Sequence, residues 1–283
     1  MEFKIQWFPG HMTKAKRMME KQIKLVDIVI EMLDARIPYS SSNPILMDII
    51  GNKPKIIVFN KVDLADIGRL DAYAQKLKNK GIPLVYLNSV IGGDYKKLLT
   101  TIRTVAQPML EKKKKKGVKN KAVRVMIVGI PNVGKSSLIN RLLGKSKVKT
   151  GDKPGVTRGE QWINIGNNIE LLDTPGILWP KFEEPEIGFS LAVTGAIKDE
   201  VFDNQQAVEI LLSRLLENYP EALKERYDIE IDSELSIAEI LLVIAQKRGC
   251  LRSGGVPDIS KVINIVLREY RDGKIGRFVI DNV

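Results

Sequence analysis

Residues 123–136 read Val-Arg-Val-Met-Ile-Val-Gly-Ile-Pro-Asn-Val-Gly-Lys-Ser. The first six are mostly apolar and β-branched, which predicts a buried strand. The last eight match the pattern Gly-x-x-x-x-Gly-Lys-Ser, and residues 137–143 have helical apolar spacing. A glycine-rich loop between a strand and a helix presents backbone N–H groups and the helix dipole to phosphate. The stretch therefore predicts a phosphate loop (residues 129–136) in an α/β fold.

The phosphate loop assigns a task to each of its polar residues. Lys135 is expected to reach the β- and γ-phosphates, and the Ser136 hydroxyl is expected to coordinate Mg²⁺. Asparagine before the final Gly-Lys pair can also bind K⁺ beside the phosphates, so Asn132 is a candidate K⁺ ligand. The remaining residues expected to surround the phosphates are Val133, Gly134 and Ser137.

A second strand-and-loop unit follows, with Asp173-Thr174-Pro175-Gly176 after the apolar residues 169–172. Asp173 is expected to hold Mg²⁺ through water, and the N–H of Gly176 to approach the γ-phosphate. Between the two units, Thr157 lies in a glycine-containing segment typical of a switch that closes on Mg²⁺ when a γ-phosphate is present. An ordinary surface turn is the alternative for that segment.

The third motif is Asn60-Lys61-Val62-Asp63, which follows the apolar strand predicted over residues 55–59. A carboxylate can accept hydrogen bonds from N1 and the exocyclic N2 of guanine, whereas adenine offers no such pair. Asp63 therefore predicts GTP and GDP as ligands. Asn60 is expected to pin this base loop (residues 60–65) and face the base edge, and the Lys61 stem to cover the ring.

After the strand predicted at residues 84–87, Asn88 and Ser89 form the candidate last base-contacting loop, although Asn-Ser is also an ordinary turn dipeptide. The order of the motifs is unusual, because the base loop precedes the phosphate loop. Circular permutation moves the chain ends and leaves the sheet in place. We therefore predict a circularly permuted Ras-like P-loop G domain, with a doubly wound, mostly parallel sheet carrying one antiparallel strand.

The chain has 283 residues, enough for this G domain (residues 1–182) and a small C-terminal all-α domain (residues 183–283) with its own core. Within the first domain we expect a basic N-terminal segment, residues 1–25, and a Lys-rich linker, residues 111–122, after a helix over about 94–109. No apolar run of 18 residues and no signal peptide is found, which predicts a soluble, cytoplasmic protein.

The net charge of +11 is unevenly placed: residues 1–182 carry 33 Lys and Arg against 15 Asp and Glu, and residues 183–283 carry 12 against 19. Five consecutive lysines, residues 112–116, would repel one another in a packed element and predict a solvated linker. Such a segment gains affinity for RNA by releasing counterions, unless it is only a solubilising spacer. Two C-terminal basic clusters are either solvated helix faces or RNA contacts: Lys247, Arg248 and Arg252, then Arg268, Arg271, Lys274 and Arg277.

The means of activating water is not obvious in this sequence. Ras-like enzymes have a glutamine after Asp-x-x-Gly to orient the attacking water, but here that residue is Ile177. The single histidine, His11, follows Trp7-Phe8-Pro9-Gly10 and could position water. The alternative is a surface histidine beside a buried tryptophan.

The chain resembles the YlqF/YawG family of bacterial circularly permuted GTPases. The resemblance covers nearly the whole chain and is carried by Trp7 to Met12, Asp34-Ala35-Arg36-Ile37-Pro38, the base and phosphate loops, and Asp173 to Pro180. It implies a GTPase that acts in late assembly of the large (50S) ribosomal subunit and is activated by that particle. It also implies that His11 serves hydrolysis and that the C-terminal helices bind RNA, although their net negative charge departs from this expectation.

The expected partners are thus the large-subunit precursor and rRNA, with no membrane and no DNA. A GTP-gated RNA-binding protein whose hydrolysis is incidental is the alternative. A membrane-remodelling GTPase is disfavoured, because the sequence has no long apolar or amphipathic segment.

Overall fold

The computed structural model describes residues 3, 5, 10–90, 95–118, 121–144, 161–174, 176–179, 182, 184–229 and 235–281, with the side chains of residues 10–15, 161 and 173 outside this description. Within these residues six strands form one sheet. They are β1 (Ile28–Asp34), β2 (Lys55–Asn60), β3 (Leu84–Tyr86), β4 (Val123–Gly129), β5 (Gln161–Asn164) and β6 (Ile169–Asp173).

The sheet has the order β3-β2-β1-β4-β6-β5. Every neighbouring pair is parallel except β5 and β6, which form an antiparallel hairpin. Central strand β1 is buried at all seven positions, as expected for a parallel strand covered on both faces. The predicted doubly wound, mostly parallel sheet is confirmed.

Ten helices are described. They are α1 (Gly10–Gln22), α2 (Pro44–Ile50), α3 (Ile67–Asn79), α4 (Tyr95–Lys115), α5 (Lys135–Leu143), α6 (Pro185–Val193), α7 (Asn204–Asn218), α8 (Pro220–Tyr227), α9 (Ile237–Lys247) and α10 (Ile259–Arg271). None of them is long and apolar enough to cross a membrane, within the residues that the structure covers.

Helix α4 is longer than the sequence predicted. It continues through Lys115, so most of the lysine run is helical, and the prediction that all five lysines lie in a linker was wrong. Two physical effects explain the difference. Cations at a helix C-terminus interact favourably with the helix dipole. In addition, Lys113 forms an ion pair with Asp27 at 2.9 Å, while the neighbouring lysines stay exposed to solvent.

The C-terminal helices were expected to have a core of their own. Their buried side chains, such as Leu211 and Val266, instead belong to one contiguous apolar cluster with Ile30 and Val58 of the sheet. The division of the chain at residues 182 and 183 remains a prediction.

The topology determines where a ligand can bind. The chain leaves β1 towards β2 on one side, and it leaves β4 towards β5 and β6 on the other. The crevice at the carboxyl ends of β1 and β4 is therefore the switch point at which doubly wound sheets bind ligands. The base loop follows β2 and the phosphate loop follows β4, so both lie at this edge.

Candidate nucleotide-binding site

Three loops that are far apart in the sequence meet at this edge through the side chain of Asn60. Its amide nitrogen donates to the Val133 carbonyl at 2.7 Å and to the Ser89 hydroxyl at 2.9 Å. Its amide oxygen accepts from the Ser89 N–H at 2.9 Å. The side chain is 1% exposed. The amide of Asn60 therefore connects the base loop to the phosphate loop and to the last loop.

This junction requires glycine at position 134. A Cβ atom there would lie 2.3 Å from the Asn60 amide nitrogen and 2.9 Å from the Ser89 hydroxyl. The backbone of Gly134 is also left-handed, with φ of 103°, and it serves as the N-cap of α5. The second glycine of the phosphate loop therefore provides both the turn into the helix and the space for the base loop.

The phosphate loop surrounds the amine of Lys135. The Nζ atom donates to the carbonyls of Gly129 at 3.0 Å and Ile130 at 2.8 Å, and the side chain is 7% exposed. Ser136 and Ser137 follow in the first turn of α5 and are half-buried. Because the first N–H groups of a helix have no intrahelical partner, this turn provides donors and a positive dipole end for an anion.

The loop after β6 packs directly on the phosphate loop. The Thr174 hydroxyl donates to the Ile127 carbonyl of β4 at 2.6 Å. A Cβ atom at Gly176 would lie 2.7 Å from the Pro131 backbone, so only glycine permits this approach. Asp173 ends β6, where its backbone pairs with Ile127. The two loops proposed to hold phosphate and metal are thus neighbours.

A buried charge network supports the base loop. The Lys61 amine donates to the Asp34 carboxylate at 2.9 Å, and the Arg36 guanidinium binds both oxygens of that carboxylate, at 2.9 and 2.8 Å. Burial alone would raise the pKa of Asp34, but the charges and hydrogen bonds of Arg36 and Lys61 outweigh it and hold the pKa far below its usual range. The carboxylate therefore stays ionised and fixes the lysine stem that was expected to cover the base.

Asp63 lies in the short 3-10 turn Val62–Leu64 and is half-buried. In the described part of the chain, its carboxylate makes no hydrogen bond or ion pair, which leaves both oxygens available to a ligand. Asn88 is also half-buried; its side chain accepts from the N–H of Val90 at 2.8 Å, and its carbonyl accepts from the Tyr95 hydroxyl. Asn88 thus shapes the last loop through local contacts.

Asn132 connects the phosphate loop to the helical part of the chain. Its amide nitrogen donates to the Gly195 carbonyl at 2.8 Å, just after α6. The same turn is held by Arg271, whose guanidinium donates to the carbonyls of Ala192 and Val193 and pairs with Asp199. Arg271 therefore has a structural role, and it is not a free member of a basic patch.

Ile177, in place of the usual glutamine, is buried. It is 4% exposed and belongs to the same apolar cluster as Met19 and Ile23, which lie in and just after α1. Helix α1 and the loop after β6 therefore contribute to one apolar cluster. His11 is in the first turn of this helix, although its side chain is outside the described residues, and Thr157 is outside them entirely.

The sequence reasoning did not assign a role to Asp34, Arg36 or the C-terminal tail near Asp281. Asp34 and Arg36 carried a signal, because Asp34 ends a wholly buried strand and Arg36 follows two residues later. Buried charges are usually paired with each other. The tail carried none, because the contacts of Asp281 with Ser40 join residues 241 positions apart.

Together, the sheet, the phosphate loop and the displaced base loop define a class of protein, the circularly permuted P-loop GTPases. A family model described as "50S ribosome-binding GTPase" matches residues 124–244, starting at the strand before the phosphate loop. The base loop lies ahead of that match, as the permutation requires.

Two curated relatives are similar along nearly the entire chain. Ribosome biogenesis GTPase A of Bacillus licheniformis is 50% identical over 272 residues, 96% of this chain and 96% of the relative. The protein of the same name from Priestia megaterium is 48% identical over 279 residues, 98% of this chain and 96% of the relative. This chain therefore belongs to the ribosome biogenesis GTPase A family.

A solved structure agrees with this assignment. The GNP-bound YlqF from T. maritima matches with a TM-score of 0.65 and 30% identity, covering 95% of this chain and 97% of that one. The predictions of a permuted guanine-nucleotide-binding fold and of a GTPase are thereby confirmed.

Proposed function

We propose that this GTPase acts in late assembly of the large ribosomal subunit, docking on its precursor in the GTP state and leaving after hydrolysis. The observation that carries the proposal is the junction at Asn60, which joins the base loop, the phosphate loop and the last loop despite their permuted order. The family membership adds the ribosomal context, since the relatives are named for ribosome biogenesis.

The residues proposed to bind the guanosine fall into two groups. Asp63 accepts from guanine N1 and N2, the Lys61 stem covers the ring, and Asn88 and Ser89 complete the base pocket. The phosphates lie against Lys135 and the backbone of the phosphate loop, with Gly176 turned to the γ-phosphate. The contributing loop residues are Asn132, Val133, Gly134, Ser136 and Ser137.

Magnesium fits the donors at the mouth of the phosphate loop. Ser136 is half-buried in the first turn of α5, and Asp173 ends the strand that pairs with β4. A hydroxyl and a carboxylate are oxygen ligands of the type that Mg²⁺ takes alongside substrate phosphates. We assign Ser136 as a direct ligand, Asp173 as a ligand through water and Thr157 as the switch ligand. When bound, the ion neutralises charge on the β- and γ-phosphates.

Potassium is proposed at Asn132. The amide nitrogen of that side chain donates to Gly195, so the amide oxygen is the atom that would serve as a K⁺ ligand. A second cation would provide positive charge where other GTPases use an arginine. GTP hydrolysis in KCl should therefore be faster than in NaCl at equal ionic strength, and equal rates in the two salts would remove this assignment.

Direct attack by water is the proposed chemistry, with Lys135 and the backbone N–H groups offsetting charge on the γ-phosphoryl group. Ile177 is buried and cannot orient water. His11 is therefore proposed to position the attacking water when docking brings α1 and the γ-phosphate together. The protein alone should be a slow GTPase that ribosomal particles stimulate.

His11→Ala tests this assignment. Particle-stimulated turnover should fall by about two orders of magnitude, the usual contribution of a positioned acid or base. GDP affinity should stay unchanged, since His11 is not assigned to the nucleotide. Trp162→Phe, at a half-buried position on β5, is a control for general effects of substitution. Unchanged stimulation in His11→Ala would return this histidine to a surface role.

The charge distribution suggests where rRNA binds. Exposed lysines at the end of α4, residues 112 and 114–116, are available to phosphate. By contrast, Lys247, Arg248 and Arg252 pair with Asp228, Glu269 and Asp258. We therefore propose the α4 end, together with basic α1, as the principal rRNA contact. No contact with DNA or a membrane is proposed, and the relatives' role in ribosome biogenesis supports a cytoplasmic location.

Hydrolysis with and without 50S particles tests the whole proposal. Stimulation supports an assembly GTPase. GTP-dependent binding without stimulation would instead favour a GTP-gated RNA-binding protein whose hydrolysis is incidental. Changing Lys112 and Lys114–Lys116 to Gln should weaken particle binding and reduce its salt dependence.

A further inference from the structure

The last residues of the chain return from the helical part and lie against the base loop. After α10, the N–H of Phe278 donates to the Leu64 carbonyl at 3.0 Å, and the N–H of Ile280 donates to the Arg36 carbonyl at 3.0 Å. Leu64 directly follows Asp63 in the sequence. Residues 278–281, which we call the C-terminal strap, are therefore hydrogen-bonded next to the proposed guanine-reading carboxylate.

Side chains of the strap are anchored in the sheet part of the molecule. Val279 is fully buried in an apolar cluster with Phe59 of β2, Ala65 of the base loop and Leu70 of α3. The Asp281 carboxylate, 6% exposed, accepts from the N–H groups of Tyr39 at 2.8 Å and Ser40 at 2.9 Å, and from the Ser40 hydroxyl at 2.6 Å. Val279 and Asp281 therefore hold the strap against the sheet part of the molecule.

A tyrosine of the helical part adds a second connection to the same region. The N–H of Val279 donates to the Tyr219 hydroxyl at 3.2 Å, and that hydroxyl lies 3.2 Å from the Asp66 carboxylate. Asp66 caps the N-terminus of α3 by accepting from Gly68 and Arg69. The strap and Tyr219, the residue after α7, thus hold both the base loop and the start of the helix that follows it.

The middle of the base loop depends on its surroundings. Asn60 and Ala65 at its two ends are buried, but between them lies a single 3-10 turn, Val62–Leu64, with no buried residue, entered through Lys61 in the left-handed conformation. Short 3-10 turns have poor hydrogen-bond geometry and contribute little stability of their own. Their position therefore depends on neighbouring elements. For this turn the neighbours include Leu87, whose carbonyl accepts from the Val62 N–H, and the strap, whose Phe278 N–H donates to Leu64.

We propose that the C-terminal strap is a positioning element for guanine recognition, which sets the place of Asp63 without touching the nucleotide. Guanine affinity is then determined partly by the helical part of the chain. The proposal rests on the assignment of Asp63 as the base-reading residue. The phosphate loop makes no described hydrogen bond to the strap, so binding of the diphosphate should be unaffected.

Inosine diphosphate provides the selective probe, because its base lacks the exocyclic N2 group that Asp63 is proposed to bind. A hydrogen bond to a charged group contributes about 1.5–3 kcal/mol, which corresponds to a GDP preference of roughly 10- to 150-fold. The ratio of the two dissociation constants reports the placement of Asp63. It does not change when a fraction of the protein is merely unfolded.

The variants are Asp281→Ala, which removes the hydrogen bonds of the strap to Tyr39 and Ser40, and Val279→Ala, which loosens its apolar anchor. Arg277→Ala is the matched control, since Arg277 is exposed and immediately precedes the strap. Asp63→Ala gives the ratio of the GDP and IDP dissociation constants for a protein that lacks the base-reading carboxylate. Dissociation constants for GDP and IDP are measured by titration calorimetry on the full chain, and urea unfolding identifies the folded variants.

We expect both strap variants to lower the GDP-to-IDP preference at least fivefold, towards the value of Asp63→Ala. IDP affinity should fall less than GDP affinity, because IDP loses only the N1 hydrogen bond to Asp63, whereas GDP loses the N1 and N2 hydrogen bonds. If Asp281→Ala does not fold, the GDP-to-IDP preference of Val279→Ala alone tests the strap proposal. A wild-type preference in the strap variants, together with a lost preference in Asp63→Ala, would overturn the strap proposal and leave the base assignment standing. An unchanged preference in Asp63→Ala would overturn both.

Discussion

The buried pair of Asp34 and Arg36 allows a quantitative test of how the base loop is supported. Both side chains are 2% exposed, and the guanidinium also lies 5.6 Å from the centre of the Tyr270 ring. Asp34→Asn keeps the shape of the side chain and removes its charge, so Arg36 is left buried without a counterion. Breaking a buried ion pair in this way costs about 3–5 kcal/mol. For a chain of this size the melting temperature should fall by about 10 °C.

The double variant Asp34→Leu/Arg36→Met separates the loss of one charge from the loss of the pair. When both charges go, no uncompensated charge remains buried, so the double variant should be more stable than Asp34→Asn. Urea unfolding of the three proteins measures this difference. Glu221→Gln is the control, because Glu221 pairs with Lys224 on the surface with side chains 72% and 36% exposed, and such pairs contribute little. A double variant less stable than Asp34→Asn would refute the reasoning, as would a loss of under about 1 kcal/mol in Asp34→Asn.

Three further predictions concern the site itself. Gly134→Ala should abolish measurable GDP binding in calorimetry while leaving the far-UV circular dichroism spectrum unchanged, because the added Cβ displaces the Asn60 amide; normal binding would contradict the three-loop junction. Ile177→Gln should not accelerate GTP hydrolysis and should destabilise the fold by about 1–3 kcal/mol, since the new amide is buried among apolar side chains; a faster rate would show that this residue can reach the site. The pKa of Asp34 is depressed in the folded protein, so ionised Asp34 stabilises the fold. This contribution should be fully present above pH 5 and lost only as pH falls below about 4, towards the folded-state pKa. Urea unfolding measured as a function of pH tests it.

The parts of the structure that local patterns determine were predictable. The strand before each motif, the glycine loop and the helices α3, α7, α9 and α10 follow from apolar periodicity and turn residues. The permuted order of the motifs could also be interpreted, because a sheet edge collects the carboxyl ends of its parallel strands wherever the chain begins. Asn60 was predicted to pin its loop, but its two partners depend on the spacing between β2 and β4, which no local pattern specifies.

Where the sequence could not specify the structure, partners distant in the sequence decide the outcome. The lysine run after residue 111 is helical at its start because Asp27 of another element pairs with Lys113. The C-terminal basic residues Lys247, Arg248 and Arg252 form ion pairs with acids that charge counting cannot locate. Net charge predicts long-range attraction to a partner, but it does not identify which cations are free to make contact.

The two segments added to the G domain support opposite ends of the nucleotide site. Helix α1 and the loop after β6 share one apolar cluster, which contains Met19 and Ile177, on the side proposed for the γ-phosphate. The C-terminal strap reaches the base loop through Leu64 and Val279, on the side proposed for guanine. A partner that moves α1 would therefore act on hydrolysis, whereas one that moves the helical part would act on nucleotide affinity. Because the two segments contact different loops, a single large particle that binds both could control catalysis and nucleotide release separately.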